Sequence, residues 1–346
     1  MESAAHAEAA VPAGRPGEGL KVLTITNLYP TPESPAYGSF IASQIESLRA
    51  EGVATDVFFI DGRLSKWEYL RAFPRVRTRL RGGGYDLAHA HYGYSGVYPV
   101  FFHEIPVVVS FLGDDVIMGH ERLSGIKRRV RDYVARRADA IIVKSPEMRD
   151  VLQDRASGPL HGARPQVHVV PNGVDLARFA PRDRSECRRL LGYDPARRYL
   201  LFPYDPARAQ KGFDLAAAAL EIVARSRPEA EIRIVSGASP DTMPLHYNAA
   251  DLLLHTSVWE GSPNAVKEAL ACALPVVAVP SGDVEERLAR VRGCRLVARA
   301  PEAVAAAILE ILADPDPRSG GRAAVADLDI RATARRIIDI YKSLLA

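Results

Sequence analysis

Short apolar, β-branched runs alternate with helix-length segments along almost the whole chain, and this rhythm constrains the fold more than any other feature. The runs are Lys21–Thr26, Val53–Ile60, Asp86–Ala90, Pro106–Phe111, Ala140–Val143 and Val167–Val170. Helical patterns separate them at Gly38–Glu51, Lys66–Leu80 and Leu123–Arg137, with another from Pro146. Continuously apolar strands alternating with helices imply parallel βαβ units, with both faces of the sheet covered. A polar, Arg-rich stretch from Asp175 to Tyr193 interrupts the pattern, which then restarts. The second set of strands is Tyr199–Pro203, Glu231–Val235, Asp251–His255, Pro275–Val279 and Arg295–Ala298. Helices are expected at Phe213–Arg225, Pro263–Ala273, Pro301–Leu312 and Ile330–Leu345. The expectation is an α/β chain of two Rossmann-like, doubly wound domains in tandem. Its ligand cleft would lie between the carboxyl ends of their strands.

Length and composition agree with this. The 346 residues suffice for two cores. With 45 Lys+Arg against 42 Asp+Glu, the chain lacks the basic excess of a dedicated nucleic-acid binder. Cys187, Cys272 and Cys294 are too few and scattered for a disulfide framework or a zinc site. No apolar run approaches the ~18 residues of a membrane span. Residues 1–19 are rich in Ala, Gly and Pro and lack the pattern of a signal peptide, so a disordered tail is expected. The expected setting is cytoplasmic.

The most informative segment runs from Trp259 to Leu270. Ser262 reads as an N-cap and Pro263 as the first helical residue. A helix starting there points unpaired amides and partial positive charge toward any phosphate. Glu260 precedes this helix and Glu268 lies on it, roughly 9 Å along the axis from the cap at 1.5 Å per residue. That separation suits one carboxylate for a sugar beyond a diphosphate and the other for the ribose before it; the alternative is a capped core helix with two incidental glutamates. After the first strand of the second half, Arg208 and Lys211 stand where cations suit a departing diphosphate. A cation-rich solvated turn is the other reading. His89-Ala90-His91 closes a strand of the first half. The two imidazoles are expected on opposite faces, with His91 toward the cleft. Gly38 ends the Pro-rich loop after the first strand and permits close backbone approach to a ligand. Gly113-Asp114-Asp115 is an acidic pair expected to cap a turn or line the cleft, since two Asp alone do not complete a hard-cation site. Two Arg-rich helices form solvated faces or dock on an anionic membrane surface. The first carries Arg71, Arg75, Arg77, Arg79 and Arg81; the second carries Lys127, Arg128, Arg129, Arg131, Arg136 and Arg137.

Together these residues resemble the retaining GT-B glycosyltransferases of family 4. The resemblance rests on NAADLLLHTSVWEGSPNAVKEALACALPVVAVPSGDVEERL, which contains Glu260 and Glu268 as E-x7-E. It also rests on TNLYPTPESPAYGSFIASQIESL, YDLAHAHYGYSG, IIVKSPEM and VHVVPNGVDLARF. It extends over nearly all of Lys21 to Ala346, and looks most like bacterial envelope-polysaccharide transferases of the teichuronic acid type. It implies a GT-B fold and sugar transfer from a nucleoside diphosphate sugar, with retention, without a metal or other cofactor. The acceptor would be a hydroxyl on a glycan, a lipid-linked glycan or a small molecule. Residues 20–181 would bind the acceptor, 182–329 would bind the donor, and the helix 330–346 would cross back to the first domain. The Arg182–Tyr193 connection would make the other crossing.

By the same resemblance, Glu260 contacts the transferred sugar and Glu268 the ribose. Ser262, Asn264 and Ala265 present backbone amides to the donor. Arg208 and Lys211 form the cation pair on the diphosphate, His91 lies near sugar and acceptor, and Gly38 stands in the N-terminal glycine loop. The chain departs from the family pattern in three places. Tyr37-Gly38 replaces a Gly-Gly pair, Arg208 is closer to Lys211 than is usual, and Pro263 has no N–H. Competing readings are a GT-B nucleotide-sugar epimerase, a phosphorylase and an inactive accessory subunit of a partner transferase. No lysine environment for pyridoxal phosphate favours the phosphorylase, and no G-x-G-x-x-G follows a strand to favour a dinucleotide oxidoreductase.

Overall fold

The computed structural model describes residues 15–117, 125–155, 165–314 and 318–346. Most of the expected tail therefore lies outside the described residues. Its end does not hang free, because the Gly17 amide donates to the Glu51 carbonyl at 2.8 Å.

Two parallel sheets form the frame. The first holds β1 (Lys21–Thr26), β2 (Ala54–Phe59), β3 (Leu87–His91), β4 (Val107–Ser110), β5 (Ala140–Val143) and β6 (Gln166–Val169) in the order β2-β1-β3-β4-β5-β6. The second holds β7 (Arg198–Phe202), β8 (Ala230–Ile234), β9 (Leu252–His255), β10 (Val276–Ala278) and β11 (Arg295–Leu296) in the order β11-β10-β9-β7-β8. The inner strands of each sheet are buried on both faces and carry apolar residues at consecutive positions, while the edge strands β2, β6 and β8 are partly exposed. In β1, Leu23 and Ile25 enter one core while Val22 enters the other.

The last helix, Ile330–Leu345, packs against the first sheet rather than the second. Ala334, Ile337, Ile338, Ile340 and Tyr341 share a core with Val22, Leu48, Val108, Ile142 and Val170. The other crossing differs from the expectation. Val174 and Phe179 already belong to the core of the second half, so the chain changes halves around Pro171–Gly173. The stretch Arg182–Tyr193 instead contains a helix, Arg184–Leu191. Its Asp183 cap accepts the Glu186 amide at 2.7 Å, and Gly192 closes it at φ +65°. Its arginines are structural. Arg188 is buried and donates to Asp251 at 2.7 Å, and Arg184 and Arg198 reach the same carboxylate at 3.2 and 3.3 Å. Removing that carboxylate leaves a buried guanidinium uncompensated. Asp251→Ala is therefore expected to cost about 3–5 kcal/mol in chemical unfolding. A loss below about 1 kcal/mol would show that the three arginines do not depend on it.

A helix at Gly93–Phe102 also departs from the expectation, because its Gly, Pro and aromatic residues are poor helix formers. Packing overrides propensity here: a Cβ on Gly96 would lie 2.7 Å from Val134 Cγ1, so the helix seats closely on its neighbours.

Candidate active site

The two sheets bring loops from their carboxyl ends into contact. A Cβ on Gly113 would sit 3.2 Å from the Gly261 amide nitrogen, and one on Gly261 would sit 3.2 Å from the Leu112 carbonyl oxygen. Side chains cross the same seam. Gln210 Nε2 donates to Asp114 Oδ1 at 3.1 Å and Asn172 Nδ2 to Asn264 Oδ1 at 3.3 Å. Beside this contact lies a cavity of about 270 Å³. Ile117 and Glu147 of the first half line it together with Trp259, Glu260, Ser281 and Gly282 of the second.

Lys211 closes a short 3-10 turn, Ala209–Lys211, after β7. Its ammonium is buried and donates to Glu260 Oε1 at 2.5 Å. Thr256 Oγ1 fixes the turn from behind by donating to the Lys211 carbonyl at 3.0 Å. Arg208 does not join this pair. Its side chain is about half exposed and turns to Gln210 Oε1 at 3.1 Å and Asp114 Oδ2 at 3.9 Å. An exposed pair of that length contributes little to stability.

The helix expected from Pro263 begins at Asn264 and runs to Ala271, with Pro263 in the cap position. Ser262 is not its cap, because its hydroxyl donates to Asp283 Oδ2 at 2.8 Å. This follows from Pro263, whose extended ψ of 117° takes the residue before it away from the helix axis. The first-turn amides of Asn264, Ala265 and Val266 are those an α-helix leaves without partners of its own. Glu268 sits one turn further along and accepts from Tyr247 Oη at 2.7 Å. Burial raises its pKa, against the opposing pull of that hydrogen bond and of Lys267.

His89 and His91 share one face of β3, contrary to the expectation. Residues two apart on a strand point the same way, and the two rings stack with centroids 4.2 Å apart. His89 bridges Tyr341 Oη at 2.6 Å and Ser110 Oγ at 2.8 Å. His91 is buried with neither ring nitrogen hydrogen-bonded. Burial, reinforced by His89 and Lys144, holds its pKa well below the usual range, so the imidazole is neutral. Gly38 adopts φ +69° at the start of the helix Ser39–Ala50, where a Cβ would lie 2.4 Å from the Leu28 carbonyl carbon. Any side chain there would push the Pro-rich loop away.

Asp115 caps its own loop. Its carboxylate accepts from the Gly93, Leu112 and Gly113 amides at 2.9–3.0 Å, and burial lifts its pKa to about 6 despite those bonds. No group of three or more His, Cys, Asp or Glu able to hold a metal occurs among the described residues. Several cations of the two Arg-rich helices are engaged within the fold. Glu68 pairs with Arg71 and Arg75, Glu104 pairs with Arg77 and Arg81, and Arg131 is buried against Asp132. No helix among the described residues is long and apolar enough to cross a membrane.

Sequence reasoning missed the residues that back this site. Lys144 Nζ donates to the Val170 carbonyl at 3.4 Å and Lys267 Nζ to the Asn172 carbonyl at 2.9 Å, both buried at the seam. Burial lowers Lys144 to about 7 and Lys267 to about 8, and Lys267 further depresses Lys144. A lysine in an otherwise apolar strand end (Lys144) or on the apolar face of a helix (Lys267) was the available signal.

Two facing parallel sheets with a cleft at their carboxyl ends, closed by a last helix returning to the first sheet, define the GT-B architecture. Sucrose-phosphate synthase from Thermosynechococcus elongatus shares it at TM-score 0.75 and 18% identity, over 94% of this chain and 99% of that one. Anabaena HepE in complex with UDP-glucose shares it at TM-score 0.71 and 20% identity, over 94% and 100%. Residues 18–178 match Glycosyltransferase Family 4 and residues 214–314 match Glycosyl transferases group 1. The chain belongs to the GT-B glycosyltransferases of family 4. A D-inositol 3-phosphate glycosyltransferase from Segniliparus rotundus is 32% identical over 220 residues, 54% of this chain. The match spans about half of that relative's length, 49%.

Proposed function

We propose that this chain transfers a sugar from a nucleoside diphosphate sugar to an acceptor hydroxyl, with retention at the anomeric carbon and without a bound metal. The observation that carries this reading is the Lys211–Glu260 ion pair beside the open amino end of the helix that also bears Glu268. The cation and the helix-start amides there suit a diphosphate, Glu260 a sugar and Glu268 a ribose. HepE, a structural neighbour, is described in complex with UDP-glucose, which supports a UDP-linked hexose as the donor class. The Segniliparus relative is named for D-inositol 3-phosphate, which supports a small polyol phosphate as acceptor rather than an envelope polysaccharide.

In this reading the bond from the anomeric carbon to the diphosphate oxygen breaks as the bond to the acceptor oxygen forms. The acceptor's proton passes to the departing phosphate. Lys211 and the amides of Asn264 and Ala265 stabilise charge growing on that phosphate, as preorganised donors do. Glu260 accepts sugar hydroxyls, Glu268 accepts ribose hydroxyls, and the neutral His91 offers its unpaired ring nitrogens to the sugar. A nucleoside diphosphate is a good leaving group, so positioning and charge stabilisation carry most of the task.

Incubation with a panel of nucleotide sugars, with and without excess EDTA, tests this. Slow donor hydrolysis that survives the chelator is expected for one nucleotide, with transfer once the right acceptor is added. Epimerised donor as the only product would favour the epimerase, and no turnover of any donor would favour an accessory subunit. Activity abolished by EDTA and restored by Mg²⁺ would remove metal independence.

A further inference from the structure

Tyr204 follows β7, and no motif points to it. Its ring lies under the Lys211 ammonium, 4.6 Å from nitrogen to ring centroid. Its hydroxyl is bonded to His255 Nδ1 at 2.8 Å, and His255 Nε2 to Ser281 Oγ at 2.9 Å. The ring edge also packs against Phe202, with centroids 5.2 Å apart at 82°. His255 is completely buried. Burial, with Lys211 nearby, lowers its pKa to about 3. A neutral imidazole has one donating and one accepting nitrogen, which suits a link between two hydroxyl groups. Tyr204 is therefore fixed at both ends, by an aromatic edge and by a hydrogen-bond chain running to the cavity wall at Ser281.

Glu260 is the present counter-ion of Lys211. A donor would compete for both partners at once, its diphosphate for the ammonium and its sugar hydroxyls for the carboxylate. Once that pair parts, a lysine stem with four rotatable carbons has little to hold its head in place. The Tyr204 ring remains, and a cation over an aromatic face is attracted to it without needing a counter-ion.

We propose that Tyr204 is a positioning residue for donor binding: its ring, pinned through His255 to Ser281, keeps the Lys211 ammonium aimed at the diphosphate after Glu260 turns to the sugar. The proposal rests on the donor reading above. Of the Arg and Lys pair that the sequence resemblance expects, it leaves Lys211 alone turned inward, seated on an aromatic platform, with Arg208 directed to Gln210 and Asp114.

Titration of the intact 346-residue chain with UDP by calorimetry tests it, using Tyr204→Leu, Tyr204→Phe, Lys211→Met and the double variant Tyr204→Leu/Lys211→Met. Tyr204→Leu is expected to weaken UDP at least tenfold, and Tyr204→Phe, which keeps the ring, to recover most of that loss. In the Lys211→Met background Tyr204→Leu is expected to cause no further loss, because its effect runs through the ammonium. Wild-type affinity in Tyr204→Leu, or a full additional loss on top of Lys211→Met, would overturn the proposal. Failure of the wild-type protein to bind any nucleoside diphosphate would instead overturn the donor reading, and the role of Tyr204 with it.

Discussion

Alanine at Lys211 is expected to lower kcat by ~10²–10³-fold, the usual consequence of removing one preorganised donor from a transition state. The buried setting of the ammonium supports the upper part of that range. Lys211 is enclosed by Glu260, Tyr204 and the turn held by Thr256, so water cannot replace it freely. The substitution also leaves the Glu260 carboxylate without its counter-ion, where it would repel an incoming diphosphate. Donor KM should therefore rise along with the fall in kcat. Arginine is not expected to restore activity, because its planar fork cannot occupy the space of a compact ammonium between a ring and a carboxylate. Arg208→Ala is expected to lose far less than Lys211→Ala, since the Arg208 side chain is directed to Gln210 and Asp114. Steady-state kinetics at saturating donor decide the matter. Near-normal turnover in Lys211→Ala would remove that residue from the mechanism.

The contrast between Lys211 and Arg208 shows how far the sequence could be read. Parallel strands buried on both faces announce themselves by unbroken apolar runs, and each expected strand lies within a residue or two of its structural counterpart. The position of Lys211 at a strand's carboxyl end was legible for the same reason. The direction of Arg208 was not, because it depends on Asp114, 94 residues earlier. Ser262 looked like a cap from its neighbours alone, yet Asp283 takes its hydroxyl. Tyr204 and His255 carry no spacing signal at all. Their partnership exists only because β7 and β9 are neighbours in the second sheet. Local chemistry was readable where the backbone sets it, and unreadable where a distant side chain does.

Removing residues 330–346 is expected to unfold the first half of the molecule. Ile337, Ile338, Ile340 and Tyr341 are buried in the core on one face of the first sheet. At about 2 kcal/mol per large apolar side chain their burial contributes roughly 8 kcal/mol, comparable with the whole stability of a typical domain. The polar contacts of the helix reinforce this. Asp329 caps it by accepting the Arg331 and Ala332 amides, and Arg335 holds Glu51 at 2.9 Å. Tyr341 bonds to His89 at 2.6 Å, and the His89 ring stacks on His91. Loss of the helix would therefore expose the face formed by Val22, Leu48, Val108 and Ile142 and release the histidine pair at the cleft in one step. The truncated chain should aggregate or bind a hydrophobic dye, with its first thermal transition lost. Tyr341→Phe separates the two consequences, because it keeps the ring in the core and removes only the bond to His89. It should cost only about 1–3 kcal/mol of stability, the penalty for orphaning one buried ring nitrogen and far less than the truncation, while its turnover falls. A soluble, monomeric 1–329 chain with unchanged melting would mean that the first sheet is stable without its last helix.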